Sequence, residues 1–200
     1  LPPIQDRLPA EPLVIKPVHE IGKYGGSWRG GFTGPGDWWN GLRHASGPDH
    51  ILFWDYTGEK VVPNVAKDWK VSADSKTTTI YLRKGMRWSD GEPFTANDFM
   101  FWYEDIYLDK DLVPTPTSEL QVNGKDGKMV KVDDFTIAFE FPEPNYMFLD
   151  ILAGSTLIGG GQTTRNSSTK YFGAYDPAHY LKQYLPKYSS VDECEKKAKA

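Results

Sequence analysis

Leu82-Arg83-Lys84-Gly85-Met86-Arg87-Trp88-Ser89-Asp90-Gly91-Glu92-Pro93-Phe94-Thr95-Ala96-Asn97-Asp98-Phe99 is the stretch that decides the fold. It opens at the end of an alternating run in which Thr78, Ile80 and Leu82 face one way and Thr77, Thr79, Tyr81 and Arg83 the other. That is the period of a half-buried strand. Asp90-Gly91 and Glu92-Pro93 are turn dipeptides. Thr95 can then cap the first free amides of a helix, with Asp98 three residues on reaching back as a short capping box. Phe99, Trp102, Tyr103 and Ile106 follow at i, i+3, i+4 and i+7, which predicts one buried helical face.

Upstream, residues 67–71 read as a second strand, joined to 77–83 by a turn at 72–76, with Trp69 and Trp88 as anchors. Residues 51–56 form a short apolar run, and 56–59 a turn. Further back, 27–33 alternate Trp28, Gly30 and Phe32 with polar neighbours, as a strand would. Gly34-Pro35-Gly36 breaks that strand, and an aromatic loop, Asp37-Trp38-Trp39-Asn40-Gly41, follows it. Residues 1–26 are Pro-rich and expected to be extended.

Downstream, 109–118 form a Pro-rich loop, and 120–141 read as a β-meander with turns at 123–127 and 133–134. Pro142 and Pro144 end its last strand; 145–152 and 177–184 are helical, and 159–161 are three glycines. This order predicts an α/β fold of the mixed α+β kind rather than a doubly wound parallel sheet.

Composition narrows the function classes. Charged residues make up 25% of the chain and hydrophobic residues 39%, an ordinary globular balance. Net charge is -4 and the basic residues are scattered, so neither a nucleic-acid partner nor an anionic membrane surface is expected. No run of about 18 apolar residues occurs, and no signal-peptide pattern either. Both ends read as cut, so the chain is expected to be a segment of a longer protein. Cys194 stands alone in the helical run Asp192-Glu193-Cys194-Glu195-Lys196, whose acidic neighbours would raise a thiol pKa and oppose a nucleophilic role. Aromatic residues, at 14%, exceed the need of a small core, so some rings are expected to line a surface or cleft.

Features that resemble chemistry have simpler readings. Gly159-Gly160-Gly161-Gln162-Thr163-Thr164 lacks the Lys of a phosphate-binding loop and reads as a flexible break. His44 and His50 with Asp49 could clasp a metal, but the four histidines (19, 44, 50, 179) lack metal spacing, and no cofactor or metal is expected. Asp133-Asp134 is a turn before it is a catalytic pair, because Asp bonds its own backbone there. The loop around Trp38 and Trp39 is the most suggestive site, since Gly34 and Gly36 let a ligand approach the backbone and the two rings offer apolar faces. The alternative is that one Trp packs inward while the other covers a surface.

Taken in order, Pro63, Ala66 and Trp69, then Ser72, Asp74 and Thr77, then Leu82, Arg83, Gly85, Trp88, Asp90, Gly91, Pro93, Thr95, Ala96 and Asp98 form a spaced series. It closely resembles the signature of bacterial extracellular solute-binding proteins of the peptide/nickel type, family 5. Residues 61–107 carry the resemblance tightly and 22–188 loosely. The stretch Asp176-Pro177-Ala178-His179-Tyr180-Leu181-Lys182-Gln183-Tyr184-Leu185-Pro186-Lys187-Tyr188 is similar to a longer subgroup.

The resemblance implies the periplasmic-binding type II fold. Residues 1–34 would start lobe one, 35–153 would form an inserted α+β subdomain, and 154–200 would return into the lobe. It also implies an exported binding protein, periplasmic or on the cell surface and expected to be a monomer. Such a protein captures a peptide-like or oligosaccharide solute between two lobes and delivers it to an ABC permease. In relatives the loop after the first strand and the loop after the capped helix border the cleft. Thr33, Gly34, Pro35, Trp38 and Trp39, with Leu112 and Pro114, are therefore the candidate solute contacts, and no catalytic residue is expected. A carbohydrate-active hydrolase would need two convergent carboxylates, and no pair stands out. A non-catalytic interaction module using exposed aromatics is the remaining alternative.

Overall fold

The computed structural model describes residues 3–23, 25–27, 29, 34, 50–88, 91–111 and 113–154. Strand 27–33 for the most part, the aromatic loop 37–41, Ser89-Asp90, and everything from 155 on, including the helix at 177–184 and Cys194, lie outside them.

The signature block folds as its residues dictate. Strands β3 (Ala66–Val71) and β4 (Thr77–Leu82) pair antiparallel, with Trp69 opposite Ile80. Their turn is built from side chains. Ser72 Oγ donates to Asp74 Oδ1 at 2.6 Å and accepts from Thr77 N at 2.9 Å, while Lys76 N donates to Asp74 Oδ1 at 3.2 Å. Beyond β4 a small loop doubles back: Trp88 N donates to Glu92 O and Phe94 N to Met86 O, with Gly91 at φ +98°. Trp88 meets Phe94 edge-on at 5.2 Å, and Phe94 meets Phe99 at 5.5 Å, so the loop is pinned by rings.

The expected capping box is present. Thr95 Oγ1 accepts from Asn97 N at 3.3 Å, and the fully buried Asp98 accepts Thr95 N at 2.8 Å. Helix α2 (Ala96–Phe101) starts there, and its first amide docks on the carbonyl of Asp134 at 2.9 Å. Phe99, Trp102 and Tyr103 face the core as the spacing predicts, with Ile106 half-buried. The winding after Phe101 differs: residues Trp102–Tyr107 form a π turn, and Tyr107 is buried too.

The expected single meander divides in two. Asn123-Gly124, both at positive φ, make a two-residue turn between β5 (Gln121–Val122) and β6 (Lys125–Asp126), a separate small hairpin. Strands β7 (Lys128–Asp133) and β8 (Thr136–Glu140) join the signature hairpin instead, giving a four-stranded antiparallel sheet of order β3-β4-β8-β7. The reason lies in β8, where Thr136, Ile137, Ala138 and Phe139 are all buried. A strand covered on both faces belongs at the centre of a sheet, not at the end of a meander.

The inner face of this sheet (Ile80, Leu82, Met129, Ile137, Phe139) packs under α2 and against α3 (Phe148–Leu152), whose Phe148 contacts Phe139 at 4.8 Å and Phe141 at 4.7 Å. The short hairpin β1 (Leu52–Trp54) and β2 (Val61–Pro63) adds Leu52 to that core and keeps Trp54 packed against it.

The Pro-rich start has one helical turn, α1 (Ile4–Arg7), and is otherwise without regular structure among its described residues. Arg83, expected on the outward face with Tyr81, is buried. Its guanidinium donates to the carbonyls of Glu11 at 2.7 Å, Asn64 at 3.0 Å and Ala66 at 3.4 Å. Ala10 N donates to Lys84 O at 2.8 Å and Lys67 pairs with Glu11 at 2.8 Å, so the arm is fastened to the sheet's end at residues 10–11. A buried cation is tolerated there because three carbonyl dipoles converge on it.

Candidate functional site

Of the seven candidate contacts, Thr33, Pro35, Trp38, Trp39 and Leu112 lie outside the described residues. Gly34 has open space where a side chain would stand, and Pro114 is exposed. The candidate loop with described residues is therefore 109–118, Leu112 excepted.

Its two roots are firm and its crest is bare. At the first root Tyr103 and Tyr107 stack at 5.8 Å, and Leu108 N donates to Tyr103 O at 3.0 Å. The loop then turns on Asp109, whose Oδ1 accepts Asp111 N and whose carbonyl accepts Val113 N, both at 2.8 Å. Val113 packs against the core, Pro114 and Thr115 stand in solvent, and a 3-10 turn (Ser118–Leu120) buries Leu120 at the second root. Such a loop can offer an apolar crest and backbone groups to a ligand. It presents no convergent acid and base.

A separate open hollow of about 390 Å³ lies at the end of the sheet, lined by Lys67, Tyr81, Lys84, Asp133, Asp134 and Phe135 among others. Its carboxylates are engaged in structure. Asp133 Oδ1 accepts Phe135 N at 2.7 Å, as a turn aspartate does, and that bond, helped by Thr136, holds its carboxyl below the usual range. Asp134 takes Lys131 Nζ at 2.7 Å, and the same lysine holds Asn97. A carboxyl held below the usual range, as that of Asp133 is, is poorly suited to give up a proton as a general acid. Among the described residues no group of three His, Cys, Asp or Glu is placed to hold a metal ion; His44 and Asp49 are not among them. Among the same residues no helix is long and apolar enough to cross a membrane.

The residues the sequence reading missed are Tyr107 and Arg83. Tyr107 left a signal: it stands four residues after Tyr103 and eight after Phe99, which α spacing places at the edge of the same apolar face. Arg83 left none, because its partners are backbone carbonyls.

The signature block itself does structural work: its Trp, Asp and Thr side chains close turns, stack or cap. Comparison with known proteins agrees with its identity. The model of bacterial extracellular solute-binding proteins, family 5 Middle, matches residues 60–185. A periplasmic alpha-galactoside-binding protein of Rhizobium meliloti is 30% identical over 193 residues, covering 86% of this chain and 28% of the relative. A di/tripeptide-binding protein 1 of Pseudomonas aeruginosa is 34% identical over 110 residues, covering 48% of this chain and 20% of the relative. Among solved structures, an oligopeptide-binding protein OppA superposes with TM-score 0.71 at 40% identity, covering 98% of this chain and 28% of that one. The chain thus spans under a third of the length of these relatives, and its fold is that of the periplasmic-binding type II class. It belongs to the bacterial extracellular solute-binding proteins, family 5.

Proposed function

We propose that the protein to which this chain belongs is the capture component of an ABC importer, taking a peptide-like or oligosaccharide solute between two lobes and handing it to a membrane permease. The observation that carries this reading is the signature block folded as a hairpin-and-helix brace whose counterpart in an oligopeptide-binding protein superposes over nearly the whole chain. The relatives printed as alpha-galactoside- and di/tripeptide-binding proteins support both solute classes. Residues 1–34 start lobe one, 35–153 form its inserted subdomain and 154–200 return to the lobe. Thr33, Gly34, Pro35, Trp38, Trp39, Leu112 and Pro114 line one wall of the cleft.

The mechanism is closure, not turnover: the lobes hinge shut on the solute and bury most of its surface. The protein works outside the cytoplasm, as a monomer, without catalysis and without a nucleic-acid partner. A thermal-shift screen of the full-length protein against small peptides and alpha-galactosides tests this reading. A rise in melting temperature with members of one class supports it, and no rise with either class refutes the solute assignment.

A further inference from the structure

The four-stranded sheet has two edges, and side chains act on both. Helix α2 packs against β7, whose Met129 amide donates to the Tyr103 hydroxyl. Strand β3 is the other edge, and among the described residues no strand of the sheet follows it. An open edge offers a row of free amides and carbonyls, a template for pairing with another chain.

Register decides which groups of β3 face outward. Ser72 N donates to Thr77 O at 2.9 Å, and bonded pairs alternate along an antiparallel ladder. Lys70 and Thr79 are therefore the next bonded pair. Trp69 opposite Ile80 and Val71 opposite Thr78 turn their amides and carbonyls away from β4. The outward amide of Trp69 is already taken, because Asp68 Oδ1 accepts it at 2.8 Å. Just before it the ladder slips between Ala66 and Asp68, as at a bulge, and Ala66 N donates to Ile51 O at 2.9 Å. The edge is thus covered at its start, bent next to that, and capped at its middle. Charge alone would not close it. A second copy set antiparallel about Trp69 would place Asp68 opposite Lys70 twice, an attractive arrangement.

We propose that Asp68 guards this edge: by holding the Trp69 amide it denies β3 to the same strand of a second copy of this chain. A copy that paired there would first have to displace the carboxylate, so the cap keeps crowded molecules from joining edge to edge.

The test uses the full-length protein with Asp68→Ala, Asp68→Asn, and Asp68→Ala joined to Val71→Pro. Static light scattering over a concentration series gives the second virial coefficient, which senses contacts too weak to hold a dimer. Asn is as uncharged as Ala but keeps an acceptor oxygen, so the difference between the two reads the cap. Asp68→Asn should stay close to wild type. Asp68→Ala should shift toward attraction, with pairing about 5- to 100-fold tighter, since each pair of copies gains two uncapped amides, each equivalent to one neutral hydrogen bond. Val71 turns its amide outward, so proline there removes an edge donor without breaking the ladder to β4. The double variant should therefore return to the wild-type coefficient. Proline cannot mend an unfolded chain, so that recovery also separates edge pairing from unfolding. Equal coefficients for Asp68→Ala and Asp68→Asn overturn the proposal, and so does attraction that Val71→Pro leaves in place.

Discussion

Replacing Asp98 with Ala tests whether the family signature braces the fold. Asp98 is fully buried, and its carboxylate accepts the Thr95 amide at 2.8 Å, the return half of the capping box. Truncation leaves that half-buried amide without its acceptor, at a cost of about 1–3 kcal/mol. That loss, about 1–3 kcal/mol, is large against the ~5–15 kcal/mol that holds an ordinary domain together. Each kcal/mol lowers the melting temperature of a domain this size by about 2–4 °C. Urea denaturation at pH 7, followed by the fluorescence of the Trp residues around the core, reads the loss directly. Asp98→Asn, which keeps one acceptor oxygen, should recover part of it. A midpoint for Asp98→Ala equal to wild type would refute the brace, as would a variant of the full-length protein that stays stable and loses solute affinity.

Three further outcomes follow from the geometry. Gly127→Ala would place a methyl group 2.7 Å from the Phe141 ring and 3.0 Å from the Leu120 carbonyl, so it should destabilise by about 1–3 kcal/mol in chemical denaturation; a neutral result would mean that the β5–β6 hairpin gives way freely. Arg83→Met removes the donor shared by three carbonyls and should release the arm, seen as faster limited proteolysis within residues 3–23 and a loss of about 1.5–3 kcal/mol; equal cleavage rates would contradict the fastening. Asp74 has its carboxyl held below the usual range, first by the Ser72 hydroxyl and then by the Lys76 amide. Its contribution is therefore fully present above the unfolded pKa of about 4 and lost as pH falls through the lower folded value. Melting temperatures followed from pH 7 to pH 2.5 should fall less in Asp74→Asn than in wild type, and parallel curves would contradict the assignment.

The signature was legible because its residues act locally. Thr95 and Asp98 cap within one turn, Ser72 and Asp74 close a turn of their own, and alternation along β4 reports its own burial. Sheet order was not legible, since nothing in residues 128–140 says whether the next partner is β5 or β4. The decisive fact, that β8 is covered on both faces, arises only after packing. The π turn escaped for a related reason: 3.6-residue periodicity carries an α-helix on through Ile106, and the wider winding, with Trp102 stacked on Tyr107, leaves no mark in that period. Arg83 looked outward because an alternating strand places it there, and long-range carbonyls drew it in. As for the site, the pattern of residues pointed to the loop around Trp38 and Trp39, outside the described residues, and the family resemblance to the loop 109–118, whose anchors at Tyr103, Tyr107 and Leu120 the fold supplies.

The central claim is that this fold captures a solute without changing it and needs a second lobe to do so. Equilibrium dialysis of the full-length protein and of residues 1–200 against a labelled tripeptide and labelled raffinose, with chromatography of the recovered label, addresses it directly. Retention of one probe near one equivalent by the full-length protein, recovery of that probe intact, and little or no retention by residues 1–200 is the predicted result. Conversion of a probe to product, or equally tight retention by the 200-residue chain alone, would contradict the account.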